Sequence, residues 1–324
     1  MTKLIVLIFL IFQSLGFAWG AEFEWDEAIL PESLAKLTSV QGLRVMWWNI
    51  HDGRPAAKPA PYLSRNLIQL IHSELAPQVI VFAEYRDSSL SPEALNEVNK
   101  AYPHTFKWSY PYSFGYGLVL YSKYPFQLSK LENMDVTPIA NIQEPEQEQY
   151  RNFWCGSQLG CLRLFASFDI NVNGKNIQLI AVHIFDVWRR YSAVNGKART
   201  AQEIVFGNKN PLENQLIRFK GLLDEKLISP SGERPPSIII GDFNIPKRLL
   251  GFQPLMYRGL KQNLVEVFQK NPISFPAKSA DERGHYPKML IDHAFLSGAI
   301  QSDAAKVLPL RGSDHYPLYM ILNY

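Results

Sequence analysis

Cysteine is nearly absent from this chain: Cys155 and Cys161 are the only two in 324 residues. No Cys-x-x-Cys or paired-histidine spacing accompanies them, which argues against a zinc site. In an oxidising compartment the two would close a small Gly-containing loop as a disulfide; two free thiols are the alternative. Charge of one sign is also missing. The formal net charge is only +3, which by itself is no nucleic-acid footprint. No internal repeat, low-complexity tract or domain-splitting linker interrupts the chain, so solenoids and arrays are excluded. After the first residues no apolar run is long enough for a membrane helix.

The one long apolar run is at the start. Lys3 precedes Leu4 to Phe12, and Ala18-Trp19-Gly20 places small residues before Ala21. This three-part layout predicts a secretory signal peptide over residues 1–20, with an uncleaved anchor as the competing reading. Its removal takes one Lys and no acid, so the charge falls from +3 to +2. Residues 21–42 read as a lead-in segment and 43–324 as the folded unit, exported to the periplasm or the cell exterior.

Within that unit, apolar runs repeatedly end in a polar residue. Leu43 to Ile50 reads as a first strand with Asn49 at its end, before a Gly/Pro-rich loop. Val79-Ile80-Val81-Phe82 is followed by Glu84, and Ile177 to Val182 by His183. Ile238-Ile239-Ile240 runs into Gly241-Asp242-Phe243-Asn244, a carboxylate and a carboxamide two residues apart. If strand geometry persists, Asp242 and Asn244 face the same way; an Asx-capped turn is the alternative. Asp292 is embedded in the apolar segment Met289 to Leu296, and Asp314-His315 precedes a last strand, Leu318 to Leu322. Each of these has an ordinary structural reading as a turn residue, a solvated loop acid or a buried structural histidine. Trp47 and Trp48 read as packing residues.

Helical spacing marks residues 62–76, with Leu63, Leu67, Leu70, Ile71 and Leu75 on one face, and again 92–101 and 212–227. Asn173-Gly174 between two apolar runs predicts a tight hairpin. Strand segments are expected over 105–112 and 115–121, and a polar surface insertion over 133–161. Strands and helices alternate with hairpins, which predicts an α/β architecture of two packed mixed sheets flanked by helices, a four-layered sandwich.

Asn49, Glu84, His183, Asp242, Asn244, Asp292, Asp314 and His315 form a coherent set if they converge. Carboxylates and carboxamides are hard oxygen ligands suited to Mg²⁺, with Mn²⁺ or Ca²⁺ as options. A further Asp can activate a water, and a carboxylate-held His can donate to a phosphate oxygen. Metal-assisted hydrolysis of a phosphate ester is the chemistry this set serves best. Arg189, Arg190, Lys197, Arg199 and Lys209 lie in a segment that reads as a solvated loop or as an arm meeting phosphates.

In family order, Trp48-Asn49, Glu84, Tyr116 with Gly117, His183, Gly241-Asp242-Phe243-Asn244, Ile291-Asp292-His293 and Ser313-Asp314-His315-Tyr316-Pro317 resemble the endonuclease/exonuclease/phosphatase superfamily with its deoxyribonuclease-I-like fold. The resemblance implies that Asn49 and Glu84 bind the metal with Asp314 close by. It also implies that Asp242 orients or activates the attacking water, Asn244 holds the phosphate, and His315, oriented by Asp292, contacts it. His183 would face the phosphate and Tyr116 the substrate; Arg189 and Arg190 are substrate-contact candidates from the basic segment alone. Two departures are visible: Ala83 stands where Gln often precedes the metal-binding Glu, and Ala181-Val182 replaces Asn-Thr before the histidine. Nucleic acid is the favoured substrate. A phospholipid, sphingomyelin or phosphoinositide is the alternative, drawing on aromatics such as Trp108, Tyr110 and Tyr112. A non-catalytic binding scaffold of the same fold is the reading from another class.

Overall fold

The computed structural model describes residues 37–51, 61–109, 117–133, 164–184, 211–227, 235–244, 264–268, 272–275 and 288–324. The leader, both cysteines, Tyr116, Arg189 and Arg190 lie outside the described residues. Among the described residues, twelve strands form two six-stranded sheets. The first contains β1 (Leu43–Asn49), β2 (Val79–Tyr85), β3 (His104–Ser109), β4 (Gly117–Ser122), β11 (Gln301–Val307) and β12 (Leu318–Asn323), in the order β11-β12-β1-β2-β4-β3. The second contains β5 (Phe126–Asn133), β6 (Leu164–Val172), β7 (Lys175–His183), β8 (Ser237–Asp242), β9 (Val265–Glu266) and β10 (Asp292–Ser297), in the order β5-β6-β7-β8-β10-β9.

Each sheet has one parallel pair at its centre, β1 with β2 and β7 with β8, and antiparallel neighbours outside it. Central strands are covered on both faces, which is why they read as unbroken apolar runs. Period two sorts their side chains between two cores. Val45, Trp47, Val79, Val81, Leu179, Ala181, Ile238, Ile240, Ala294 and Leu296 meet between the sheets. Met46, Trp48, Ile80, Phe82, Val119 and Tyr121 face away from that core. There they pack against Leu63, Leu67 and Leu70 of helix α1 (Pro61–Ile71) and Ala94 and Val98 of α2 (Pro92–Ala101). On the far side, Phe219 of α3 (Pro211–Leu227) packs edge-on against Phe165 and Phe243. The order is therefore helices, sheet, sheet, helix, the expected four layers. None of the helices among the described residues is long and apolar enough to cross a membrane.

One helix boundary and three strands differ from the sequence expectation. Helix α1 stops at Ile71 rather than 76, because the Ser73 hydroxyl binds Leu70 O and receives Leu75 N, turning the chain. Strands β3 and β4 match the expected segments to within a residue, and positions 110–112 and 115–116 of those segments lie outside the described residues. Strands β5, β9 and β11 were not expected; β9 and β11 lie at sheet edges with exposed positions, and β5 is the opposite edge of the second sheet. The hairpin is as expected: Asn173 (φ 54) and Gly174 (φ 87) alone separate β6 from β7, both left-handed as a two-residue turn requires.

Candidate active site

Topology brings the polar strand ends to one edge. The parallel strands β1, β2, β7 and β8 all finish there, and β10 and β12, antiparallel to their neighbours, begin there. Register does the rest on the second sheet. Asp242 lies opposite His183 on one side and opposite Asp292 on the other, a row of three across β7, β8 and β10. Each continues the inner-face series of its own strand: Ile238, Ile240, Asp242; Leu179, Ala181, His183; Leu296, Ala294, Asp292. The close approach of β7 requires glycine before Asp242, since a Cβ on Gly241 would sit 2.0 Å from Val182 O.

Asn49 extends the inner series of β1, but Glu84 breaks that of β2. Val79, Val81 and Ala83 face the inter-sheet core, and strict alternation would send Glu84 to the helix side. Instead, the β2–β4 register slips between Ala83 and Tyr85, and Glu84 adopts φ 52. Tyr85 thereby joins the helix-side core, and Glu84 turns to Asn49. A bulge re-aims one side chain at the edge of a sheet.

The contacts converge on Asp242. Its Oδ2 accepts from Asn49 Nδ2 at 3.0 Å, and the same amide donates to Glu84 Oε1 at 3.1 Å. His183 Nε2 lies 3.6 Å from both Asp242 Oδ2 and Glu84 Oε1. His315 Nε2 lies 3.9 Å from Asp242 Oδ2 and 4.0 Å from Asp314 Oδ1. The other ring nitrogen of His315, Nδ1, is 2.8 Å from Asp292 Oδ2. Asn49, His183, Asp242, Asp292, Asp314 and His315 are buried, whereas Glu84 is part-exposed. The loop before β12 is tied in by the Ser313 hydroxyl, which donates to Asn49 O at 2.7 Å.

Burial and the charge of Asp292 push the Asp242 carboxyl well above the ordinary carboxylate range, against the pull of His315, the Asn49 amide and the Asn244 N–H. Burial disfavours the charged His315 ring, but Asp292, Asp242 and Asp314 outweigh it and raise its pKa from 6.5 to about 10. His315 is therefore an imidazolium at neutral pH, donating from Nδ1 to Asp292. Burial also opposes ionisation of Glu84, yet His51 and His183 overcome it and hold that carboxyl below its usual range despite Asp314.

Asn244 does not continue the strand. It sits at φ 51, its N–H bound to Asp242 Oδ1 at 2.7 Å and its Nδ2 donating to Ile184 O at 2.9 Å. The Asx-turn alternative is thus the observed one, and the expectation of two side chains on one strand face is corrected. Two residues carry more than sequence reasoning assigned. His51, two positions after Asn49, places Nδ1 2.7 Å from Asp314 Oδ2, with its own N–H on Asn49 Oδ1 at 3.2 Å. Its signal was a polar residue just past a strand end, masked by the Gly/Pro-rich loop that follows. Trp47, read as packing, donates its indole N–H to Asp292 Oδ1 at 3.0 Å.

Four carboxylates crowd this edge, and burial of like charges calls for a compensating cation. Asn49, Glu84 and Asp314 offer oxygen donors of the kind a hard divalent ion takes. Asp242, Asp292 and His315 form a second, buried group with ligand atoms within 4.8 Å of one another. In that group His315 Nδ1 is already committed to Asp292.

The model of the Endonuclease/Exonuclease/phosphatase family matches residues 46–315. No curated relative matches the sequence. Solved structures share the fold. An endonuclease/exonuclease/phosphatase from Beutenbergia cavernae is 22% identical with a TM-score of 0.57, covering 88% of this chain and 72% of its own. The D. rerio TDP2 structure with a single-strand DNA product is 15% identical, TM-score 0.53, covering 88% of this chain and 100% of that one. The mannosyl-6-phosphatase Bt3783 of Bacteroides thetaiotaomicron is 15% identical, TM-score 0.50, covering 87% and 100%.

Proposed function

Because the chain belongs to the endonuclease/exonuclease/phosphatase family, we propose that it is an exported, divalent-metal-dependent phosphodiesterase acting on nucleic acid. The observation that carries the reading is convergence: residues from six separate stretches, Asn49, Glu84, His183, Asp242, Asp292 and Asp314-His315, meet within hydrogen-bond or ion-pair distances at one sheet edge. Asn49, Glu84 and Asp314 would hold the ion, Mg²⁺ by the hardness of their oxygens. When bound, it supplies charge stabilisation at a phosphoryl oxygen.

The chain's own residues supply the rest. Asp242, fixed by the Asn244 N–H on one oxygen and with the other facing His183 and His315, is placed to withdraw a proton from water. That water oxygen forms its bond to phosphorus as the ester P–O bond breaks. His315, kept charged by Asp292, donates from Nε2 to a phosphoryl oxygen, where charge grows in the transition state. His183 faces the same Asp242 oxygen from the opposite strand and is placed for a second phosphate contact. Asn244 holds the turn that fixes Asp242. Nucleic acid is favoured over lipid by the basic run Arg189, Arg190, Lys197 and Arg199, and the TDP2 relative of this fold carries a DNA product.

Asp242→Ala and His315→Ala, each verified as folded, are expected to lower hydrolysis by roughly 10² to 10⁴-fold. Activity within a few-fold of wild type in either would remove the assignment.

A further inference from the structure

We propose that Trp47 is a positioning residue for His315, acting through Asp292; this rests on the reading of His315 as the phosphate donor. Trp47 is fully buried between the sheets. The residues before it on the inner face of β1, Leu43 and Val45, are apolar, and packing alone would be met by any large apolar side chain. A buried indole N–H needs a partner, and here that partner is the Asp292 carboxylate across the inter-sheet core, at 3.0 Å.

The bond fixes a rotation. Asp292 Oδ1 takes the indole N–H while Oδ2 takes His315 Nδ1 at 2.8 Å, so the carboxylate cannot turn without breaking both. Its main chain is pinned separately, with Asp292 N on Ser274 Oγ at 3.1 Å. His315 in turn packs its ring 4.9 Å from that of Phe275. The next residue of β1 holds the same histidine from behind: Trp48, on the opposite face, donates to His315 O at 2.9 Å. Two consecutive tryptophans thus hold the main chain of His315 and the acid that orients its ring. The consequence is that His315 Nε2 stays directed at Asp242 and Asp314. A carboxylate freed to rotate would let the imidazolium lose that aim, which costs turnover more than binding.

The test is Trp47→Phe in the full chain, which removes the N–H and keeps an aromatic ring. The expected result is a kcat about 10-fold lower with KM and the Mg²⁺ activation constant unchanged. In an Asp292→Asn background the same substitution should then have no further effect. Phe168→Leu, in the same inter-sheet core but away from the site, should lower thermal stability and leave kcat alone. If Trp47→Phe does not fold, 3-benzothienylalanine at position 47 exchanges the N–H for sulfur with the ring system kept. An unchanged kcat, or a loss that adds fully to that of Asp292→Asn, would overturn the proposal.

A second readout needs neither substrate nor metal. In ¹⁵N-labelled protein, the His315 ring resonances should shift on Trp47→Phe, and the Trp47 indole proton should move upfield on Asp292→Asn. Should the wild-type protein hydrolyse no phosphate ester, the reading of the site fails, and these resonances alone judge the link: shifts support it and unmoved signals overturn it.

Discussion

The two ends of the β6–β7 and β1–β2 strands use the same backbone conformation for opposite purposes. Among the described residues, the non-glycine residues with positive φ are His51, Glu84, Asn173 and Asn244. Asn173 lies at the hairpin end, beside Gly174, where left-handed backbone is cheap and closes a turn in solvent. His51, Glu84 and Asn244 all lie at the opposite end, around Asp242, and Glu84 is a residue type for which that conformation is costly. The hairpin end uses residues suited to the turn. The other end holds Glu84 in an unsuited conformation, its carboxylate bound by Asn49, the pattern of strain kept for a function.

The sharpest break of this comparison is Glu84→Gly. Loss of the carboxylate should lower metal-dependent hydrolysis by roughly 10²-fold or more, since several kcal/mol of charge stabilisation depend on the ion. Against Glu84→Ala, which loses the same carboxylate, the metal-free Glu84→Gly protein should be more stable by about 0.5–1 kcal/mol as the left-handed strain is relieved. A denaturant titration beside an activity assay reads both; a Glu84→Gly protein no more stable than Glu84→Ala would contradict the strain. His51→Ala comes next. Because its ring holds Asp314, Mg²⁺ affinity by titration calorimetry should weaken by about 10-fold, whereas unchanged affinity would detach His51 from the site.

A third effect is set by pH. The folded pKa of His315 is raised from 6.5 to about 10. It therefore contributes stability that is fully present below about pH 6.5 and is lost as pH rises through about 10. Thermal melts of metal-free wild type and His315→Gln should diverge most at low pH and draw together towards pH 10. A gap that widens as pH rises would show the wrong sign. The smallest change is expected at the hairpin. Gly174→Ala, at φ 87 with open space around it, should cost about 1 kcal/mol by conformation alone and leave kcat untouched. A gain of Glu84→Gly over Glu84→Ala that matches the cost of Gly174→Ala would make the comparison quantitative.

Much of the site was legible because period two carries it. Ile238, Ile240 and Asp242 share a face by counting alone, as do Leu179, Ala181 and His183. The strands' apolar runs likewise announced the two sheets. What counting misses is whatever departs from the period or spans the chain. From Ala83, alternation points Glu84 to the wrong face, and only the bulge against β4 corrects it. Asn244 leaves the strand for an Asx turn, two readings that the four residues Gly241 to Asn244 allow equally. The indole of Trp47 meets an acid 245 positions away, a pairing that only the stacking of the two sheets creates. Edge strands β5 (Phe126–Asn133) and β11 (Gln301–Val307) are rich in polar residues and so lack the apolar run that marked the central ones.

The central claim is that the strand ends around Asp242 form one metal-assisted phosphoesterase site. It is met most directly by incubating the purified protein with Mg²⁺ or with EDTA, offering plasmid DNA, RNA and phospholipid vesicles in parallel. The expected result is EDTA-sensitive cleavage of nucleic acid, restored by added Mg²⁺, with the vesicles intact. Headgroup or phosphate release from lipid with the nucleic acids intact would contradict the substrate assignment. Hydrolysis of none of the three, or hydrolysis indifferent to EDTA, would contradict the claim itself.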